Sequence, residues 1–200
     1  DQNTDAAKRK QAQAANREIS KLYSRRTASG EMKRSLCLYP THAAAQAAGM
    51  SLSEYEDFVF NACKLFSNDP KAEWLKVRES QQHIVDYLNK VSTVRYVNQG
   101  TDISYSCKGR TWINSDGTTN MPSGEVYTSP VEDSVNGHIF FDFPSIYGGK
   151  DVENVRLEVK DGLVVKWEAE RGQEVLDEVF QIDGARRFGE AAIGTNYDIQ

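Results

Sequence analysis

Hydrophobic residues recur at helical spacing through the first 90 residues of the chain. Three long helices are predicted: over residues 5–26, from Ser51 or Ser53 onward, and over residues 71–90. The buried side of the third helix is expected to carry Trp74, Val77, Ile84, Tyr87 and Leu88. An apolar run at residues 35–39, SLCLY, predicts a buried strand, and Thr41 is expected to cap a short helix over residues 42–48.

From residue 91 onward the pattern changes to short apolar or alternating runs separated by turn residues, which is typical of strands. Strands are predicted over residues 94–97, 103–107, 125–128, 137–143, 152–159, 163–169 and 186–194. Asp161-Gly162 is the residue pair that a type I′ hairpin turn favours. A short amphipathic helix is predicted over residues 172–182.

The two halves together predict a mixed α+β fold. Residues 1–90 are expected to form the C-terminal end of an α/β domain with a connecting helix. Residues 91–200 are expected to form a β-rich, mostly antiparallel portion of a second domain.

The composition is that of a soluble protein, with 39% hydrophobic residues, 26% charged residues and a net charge of −5. This acidic balance argues against nucleic-acid and membrane-surface roles, which need a basic face. The basic excess of the first helix is interpreted as a solvated face. The three cysteines are widely spaced, which predicts reduced, mostly buried thiols in a cytoplasmic protein.

Few residues suggest a chemical role. The three histidines, His42, His83 and His138, share no local ligand spacing. Glu125 and Glu190 each follow a glycine and precede apolar strand residues. The residue pattern leaves two interpretations open for this pair: ordinary edge glutamates, or carboxylates held at strand ends to bind a metal.

Two motifs bear on the choice between these interpretations of the glutamates. They are NMPSGEVYTSP at residues 120–130, followed by VEDSVNG, and GEAAIGTN at residues 189–196. With LYPT at residues 38–41 and GTDI at residues 100–103, they occur in the order found in a known family. The chain resembles the metal-dependent aminopeptidases of the aminopeptidase T and AmpS type, peptidase family M29. This resemblance extends over essentially the whole chain.

The resemblance implies that Glu125 and Glu190 are ligands of a two-metal centre. The intact enzyme would bind two divalent ions (Zn, Co, Mg or Mn), hydrolyse N-terminal residues from peptides, and form a cytoplasmic homodimer. Its remaining ligands, a histidine and a His-x-Asp pair, would lie downstream of the second glutamate. The chain is therefore expected to be an interior segment with two of five ligands that binds metal weakly, if at all, and is inactive alone. No catalytic residue is assigned.

Two alternatives remain for this sequence. The chain could be a non-catalytic interaction domain that keeps the fold, or part of another metal-dependent hydrolase on the same scaffold. In every case the expected partners include neither nucleic acid nor a membrane.

Overall fold

The structure is a computed structural model that describes residues 6–199. The helices are α1 (Ala6–Ala15), α2 (Arg17–Ala28), α3 (His42–Ala47), α4 (Leu52–Ala62), α5 (Pro70–Leu88) and α6 (Gln173–Val179). The strands are β1 (Leu36–Cys37), β2 (Thr93–Asn98), β3 (Thr101–Ser106), β4 (Ile113–Ser115), β5 (Asn120–Met121), β6 (Glu125–Thr128), β7 (Asn136–Phe141), β8 (Ser145–Tyr147), β9 (Lys150–Val152), β10 (Val155–Lys160), β11 (Leu163–Glu168) and β12 (Ala191–Gly194).

The larger sheet has five antiparallel strands in the order β11-β10-β7-β3-β2. Its β10–β11 hairpin turns at Asp161 and Gly162, whose φ angles are +49° and +78°. Both angles are positive, as a type I′ turn requires, so this turn is confirmed.

The smaller sheet has three antiparallel strands in the order β12-β6-β4. The strand predicted at residues 125–128 is confirmed without a change of bounds. One face of this sheet packs on α5, and Val126 on that face is fully buried. The same core includes Val85 and Leu88 of α5 together with residues of the larger sheet.

The helix starts follow from their capping residues. The side chain of Thr41 accepts from the Ala44 amide at the start of α3. Ser51 and Glu54 form a reciprocal capping box at α4, which settles the choice between Ser51 and Ser53. Asp69 caps α5, and Pro70 occupies its first turn, where a missing amide proton has no cost.

Several predictions for the helical half were wrong. The first helix is two helices, α1 and α2, separated at Asn16. The residues of SLCLY are exposed rather than buried, with Leu36 63% exposed, because β1 pairs only with the two-residue β5. Tyr87 is also exposed, whereas the polar Gln81 takes a buried position on α5.

The three cysteines are free thiols, as predicted. Cys63 and Cys107 are buried, but Cys37 is exposed because it belongs to the uncovered strand β1.

The mixed α+β class is confirmed, with helices before residue 90 and mostly antiparallel strands after it. A division into two domains at residue 90 stays a prediction. Within residues 6–199, no helix combines the length and the hydrophobicity that a transmembrane span requires.

Candidate metal centre

The smaller sheet brings the two candidate carboxylates to one face. Glu125 is the first residue of β6, and Glu190 directly precedes β12. The two strands pair antiparallel, with Glu125 opposite Gly194 and Tyr127 opposite Ala192. Because side chains alternate between the faces of a sheet, Glu125, Tyr127 and Glu190 lie on the same face. The two glutamates are offset by four residues, about 13 Å along the strands at a rise of 3.3 Å per residue.

The electrostatics of this face agree with the register. Burial raises the pKa of Glu125, and the negative charge of Glu190 raises it further. The pKa of Tyr127 is also raised, first by burial and then by Glu190 and Glu125, while Arg34 opposes the shift. Two carboxylates on one face therefore repel each other and the phenolate form of Tyr127, a repulsion that a bound cation would relieve.

Backbone hydrogen bonds fix the loop that leads into β6. The Gly124 amide donates to the Ser115 carbonyl over 3.2 Å. The Gly124 carbonyl accepts from the amides of Thr195 and Asn196, at 2.8 and 3.2 Å. Gly124 has φ +110°, and a Cβ on this residue would lie 2.5 Å from the Asn196 Cβ. Glycine is thus required before Glu125 because the two motifs are in direct contact there.

Asn196 connects the same loop to the helical half. Its side-chain amide donates to the carbonyls of Ser123, at 2.9 Å, and of Ala62, at 3.0 Å. The Ser123 hydroxyl in turn donates to the Ser115 carbonyl over 2.9 Å. The GTN triplet of the second motif therefore holds the loop that precedes the first glutamate.

Gln81 of α5 is the buried centre of this network and is only 1% exposed. Its carboxamide oxygen accepts from the Thr195 hydroxyl at 2.6 Å. Its amide group donates to the Asn114 side chain and to the Ser115 carbonyl, at 2.5 and 3.1 Å. One side chain thereby joins α5, β4 and the segment after β12.

We expect Gln81→Met, which keeps the volume but not the hydrogen bonds, to reduce the free energy of unfolding by about 2–4 kcal/mol. The loss arises because the Asn114 side-chain oxygen and the Thr195 hydroxyl, both part-buried, lose their Gln81 partner. Chemical denaturation measures it. Gln46→Met, at an exposed position of α3, is the matched control and should change stability by less than about 0.5 kcal/mol. Equal effects of the two substitutions would contradict a structural role for this network.

The carboxylate pair alone is an incomplete ligand set. Across residues 6–199 there is no group of three or more His, Cys, Asp or Glu side chains that could hold a metal ion. His138 lies on β7 of the larger sheet, opposite Asp102 and Glu158. Within residues 6–199 no histidine forms a ligand group with the two glutamates. The oxygen donors of Glu125 and Glu190 suit a divalent cation, but two carboxylates fall short of a full coordination sphere.

Sequence reasoning missed Tyr127 and Gln81. Tyr127 could have been found from the period of two that places it on the face of Glu125. Gln81 gave no such signal, because a glutamine on a helix is ordinarily exposed.

The sequence profile described as "Thermophilic metalloprotease (M29)" matches residues 2–200. The chain therefore belongs to the thermophilic metalloprotease family M29. Its curated relatives include Aminopeptidase 2 of Geobacillus stearothermophilus, which is 32% identical over an alignment of 177 positions; the match covers 80% of this chain and 43% of that protein. Aminopeptidase AmpS of Bacillus subtilis is 30% identical over 147 residues, covering 68% of this chain and 36% of that protein.

Among solved structures, wild-type AmpT from Thermus thermophilus matches with a TM-score of 0.63 at 27% identity. The match covers 72% of this chain and 38% of that one. The chain thus spans well under half the length of the relatives that it matches.

Proposed function

We propose that this chain is part of a metal-dependent aminopeptidase, in which Glu125 and Glu190 are two ligands of a two-metal centre. The observation that supports this proposal most directly is the β6–β12 register, which puts both carboxylates on one face of one sheet. Membership of a metalloprotease family and relatives named as aminopeptidases support the proposal. The family resemblance of the two motifs assigns the ligand role to these glutamates.

The separation of the carboxylates favours a binuclear site. An offset of about 13 Å along the strands is spanned more readily by two ions about 3.5–4 Å apart than by one. Divalent ions bound there would polarise the scissile carbonyl and activate a water for attack. The protein's own part is to hold the two carboxylates rigidly and to place the Tyr127 hydroxyl between them as a hydrogen-bond donor toward the substrate.

The remaining ligands are proposed to lie outside residues 6–199, since the described part of the chain offers no third ligand near the glutamates. The resemblance assigns them to a histidine and a His-x-Asp pair. The 200-residue chain by itself is then expected to bind metal weakly and to have no peptidase activity.

The test compares this chain with the longest natural polypeptide that contains it, each with added Co²⁺ or Zn²⁺. We expect the longer polypeptide to hydrolyse aminoacyl-p-nitroanilides and the 200-residue chain to show no turnover above background. N-acetylated p-nitroanilides are the matched control, because an aminopeptidase needs the free α-amine. Failure of the longer polypeptide on every amide, or turnover of esters alone, would overturn the proposal. Peptidase activity of the 200-residue chain would overturn the proposal that the remaining metal ligands lie outside it.

The domain arrangement and assembly are proposed on the same resemblance. Residues 1–90 would belong to an N-terminal α/β domain and residues 91–200 to the catalytic domain. The intact enzyme would act on peptides as a cytoplasmic homodimer.

A further inference from the structure

An open cleft adjoins the face that carries the two glutamates. Its volume is about 710 Å³. On the sheet side it is lined by Ile113 and Tyr127, which are direct partners in the β4–β6 pairing. On the other side it is lined by the end of α2 and the segment after it, within residues 27–34. Tyr127 is therefore shared between this cleft and the carboxylate face.

Two cationic side chains give the cleft a positive charge. Lys33 and Arg34 line it, and its other lining residues are uncharged. Both side chains are exposed, and neither forms an ion pair with another residue in the described range 6–199. Glu31, the acid closest to them along the chain, is paired with Arg26 at 3.4 Å. Thr118 and Thr119 also line the cleft, and the Thr118 hydroxyl donates to Asp116, an acid that is itself paired with Arg78.

The distance between the two regions is that of a short peptide. Glu125 and Tyr127 are two residues apart on β6, about 7 Å along the strand. An extended peptide advances about 3.3–3.6 Å per residue. A peptide whose first residue lies at Glu125 thus reaches Tyr127, at the edge of the cleft, after about two residues.

We infer that this cleft binds the C-terminal carboxylate of short peptides, with Arg34 as its main partner and Lys33 as the second cation. The guanidinium group presents paired donors that match a carboxylate. Arg34 would give up no ion pair with residues 6–199 on binding it. The inference rests on the proposed aminopeptidase function. It makes the enzyme selective for short peptides with a free C-terminus.

The kinetic test uses the natural polypeptide that contains this chain. We expect amidation of the C-terminus of Leu-Gly-Gly to lower kcat/KM about tenfold or more, mainly through KM. Arg34→Gln should abolish this discrimination and Lys33→Gln should reduce it. Arg25→Gln, which removes the same charge from an exposed position on α2 outside the cleft, should leave the discrimination intact.

A binding test with the 200-residue chain does not depend on turnover. Without metal, N-acetyl-diglycine is titrated against its amide while the NMR signals of the Arg34 side chain and Tyr127 are followed. The acid should shift these signals saturably, and Arg34→Gln should eliminate the effect on Tyr127. The amide should bind at least about fivefold more weakly.

The outcomes separate the two proposals. If no peptide or anilide is hydrolysed, the aminopeptidase function fails, and the titration alone decides whether the cleft binds carboxylate. If hydrolysis occurs but amidation and Arg34→Gln change neither kcat/KM nor the titration, the cleft has no such role and the aminopeptidase function stands.

Discussion

Glu190→Gln is expected to reduce peptidase activity in the natural polypeptide by at least about a hundredfold, with an effect of similar size for Glu125→Gln. A carboxamide keeps the shape of the side chain but loses the negative charge that holds a divalent cation. Loss of hydrogen-bonding partners around a ligand already costs 10–100-fold in metal affinity or activity, so loss of a ligand should cost no less. Steady-state kinetics over a range of Co²⁺ concentrations measures the effect.

The control for this pair is Glu132→Gln, at an exposed position outside the three-stranded sheet. It removes the same charge and should leave activity within about twofold of the unsubstituted enzyme. Full activity of either Glu125→Gln or Glu190→Gln at low metal concentration would exclude that residue as a ligand. The metal content of the purified variants gives an independent reading.

Gly162→Ala is expected to destabilise the chain by about 3 kcal/mol or more. Gly162 has φ +78°, and a Cβ there would lie 1.7 Å from the Glu132 carbonyl oxygen and 2.7 Å from the Asp133 Cα. The obstacle is backbone, so no side-chain rotation relieves it. Chemical denaturation measures the loss, and a sample that fails to fold also meets the expectation.

Gly109→Ala separates backbone strain from this overlap. Gly109 has nearly the same φ, +74°, but a Cβ there would meet nothing within 4 Å. Its substitution should cost only the strain of a positive φ, about 1 kcal/mol. Equal losses at the two positions would show that close approach of the 132–133 backbone does not matter.

Local patterns predicted some elements of this fold, but not the short strands β4, β5 and β8, and the strand predicted over residues 152–159 is divided between β9 and β10. The alternation at residues 125–128 gave the bounds of β6, and Asp161-Gly162 gave the β10–β11 turn, because both depend on neighbours in sequence. The burial of SLCLY could not be predicted in this way. β-propensity suggests a strand, but burial depends on which elements cover it, and β1 has only a two-residue partner.

The faces of α5 illustrate the same limit. Its buried residues are Trp74, Gln81, Val85 and Leu88. A polar residue interrupts the apolar stripe, so reading apolar positions alone left out Gln81 and included Tyr87. The glutamine is buried because its partners come from β4 and from the segment after β12, which no local pattern shows.

The sequence identified both glutamates as candidate metal ligands, but it did not show that they lie on one face of a sheet. Glu125 and Glu190 are 65 residues apart, and only the strand register determines that they share a side of the sheet. Their role as ligands stays a prediction.

The contacts of Asn196 and Asp198 have a consequence for the order of folding. The Asn196 side chain donates a hydrogen bond to the Ala62 carbonyl, and Asp198 forms an ion pair with Lys64 at 2.8 Å. Each contact joins residues 134 positions apart in the chain. Closing a loop of that length costs about 4 kcal/mol of chain entropy, so these contacts form after the local hairpins. At 5–20 residues per second, a ribosome takes about 4–14 s to proceed from Glu125 to Asn196. During that interval the loop before the first glutamate lacks the hydrogen bonds that Thr195 and Asn196 later donate to Ser123 and Gly124.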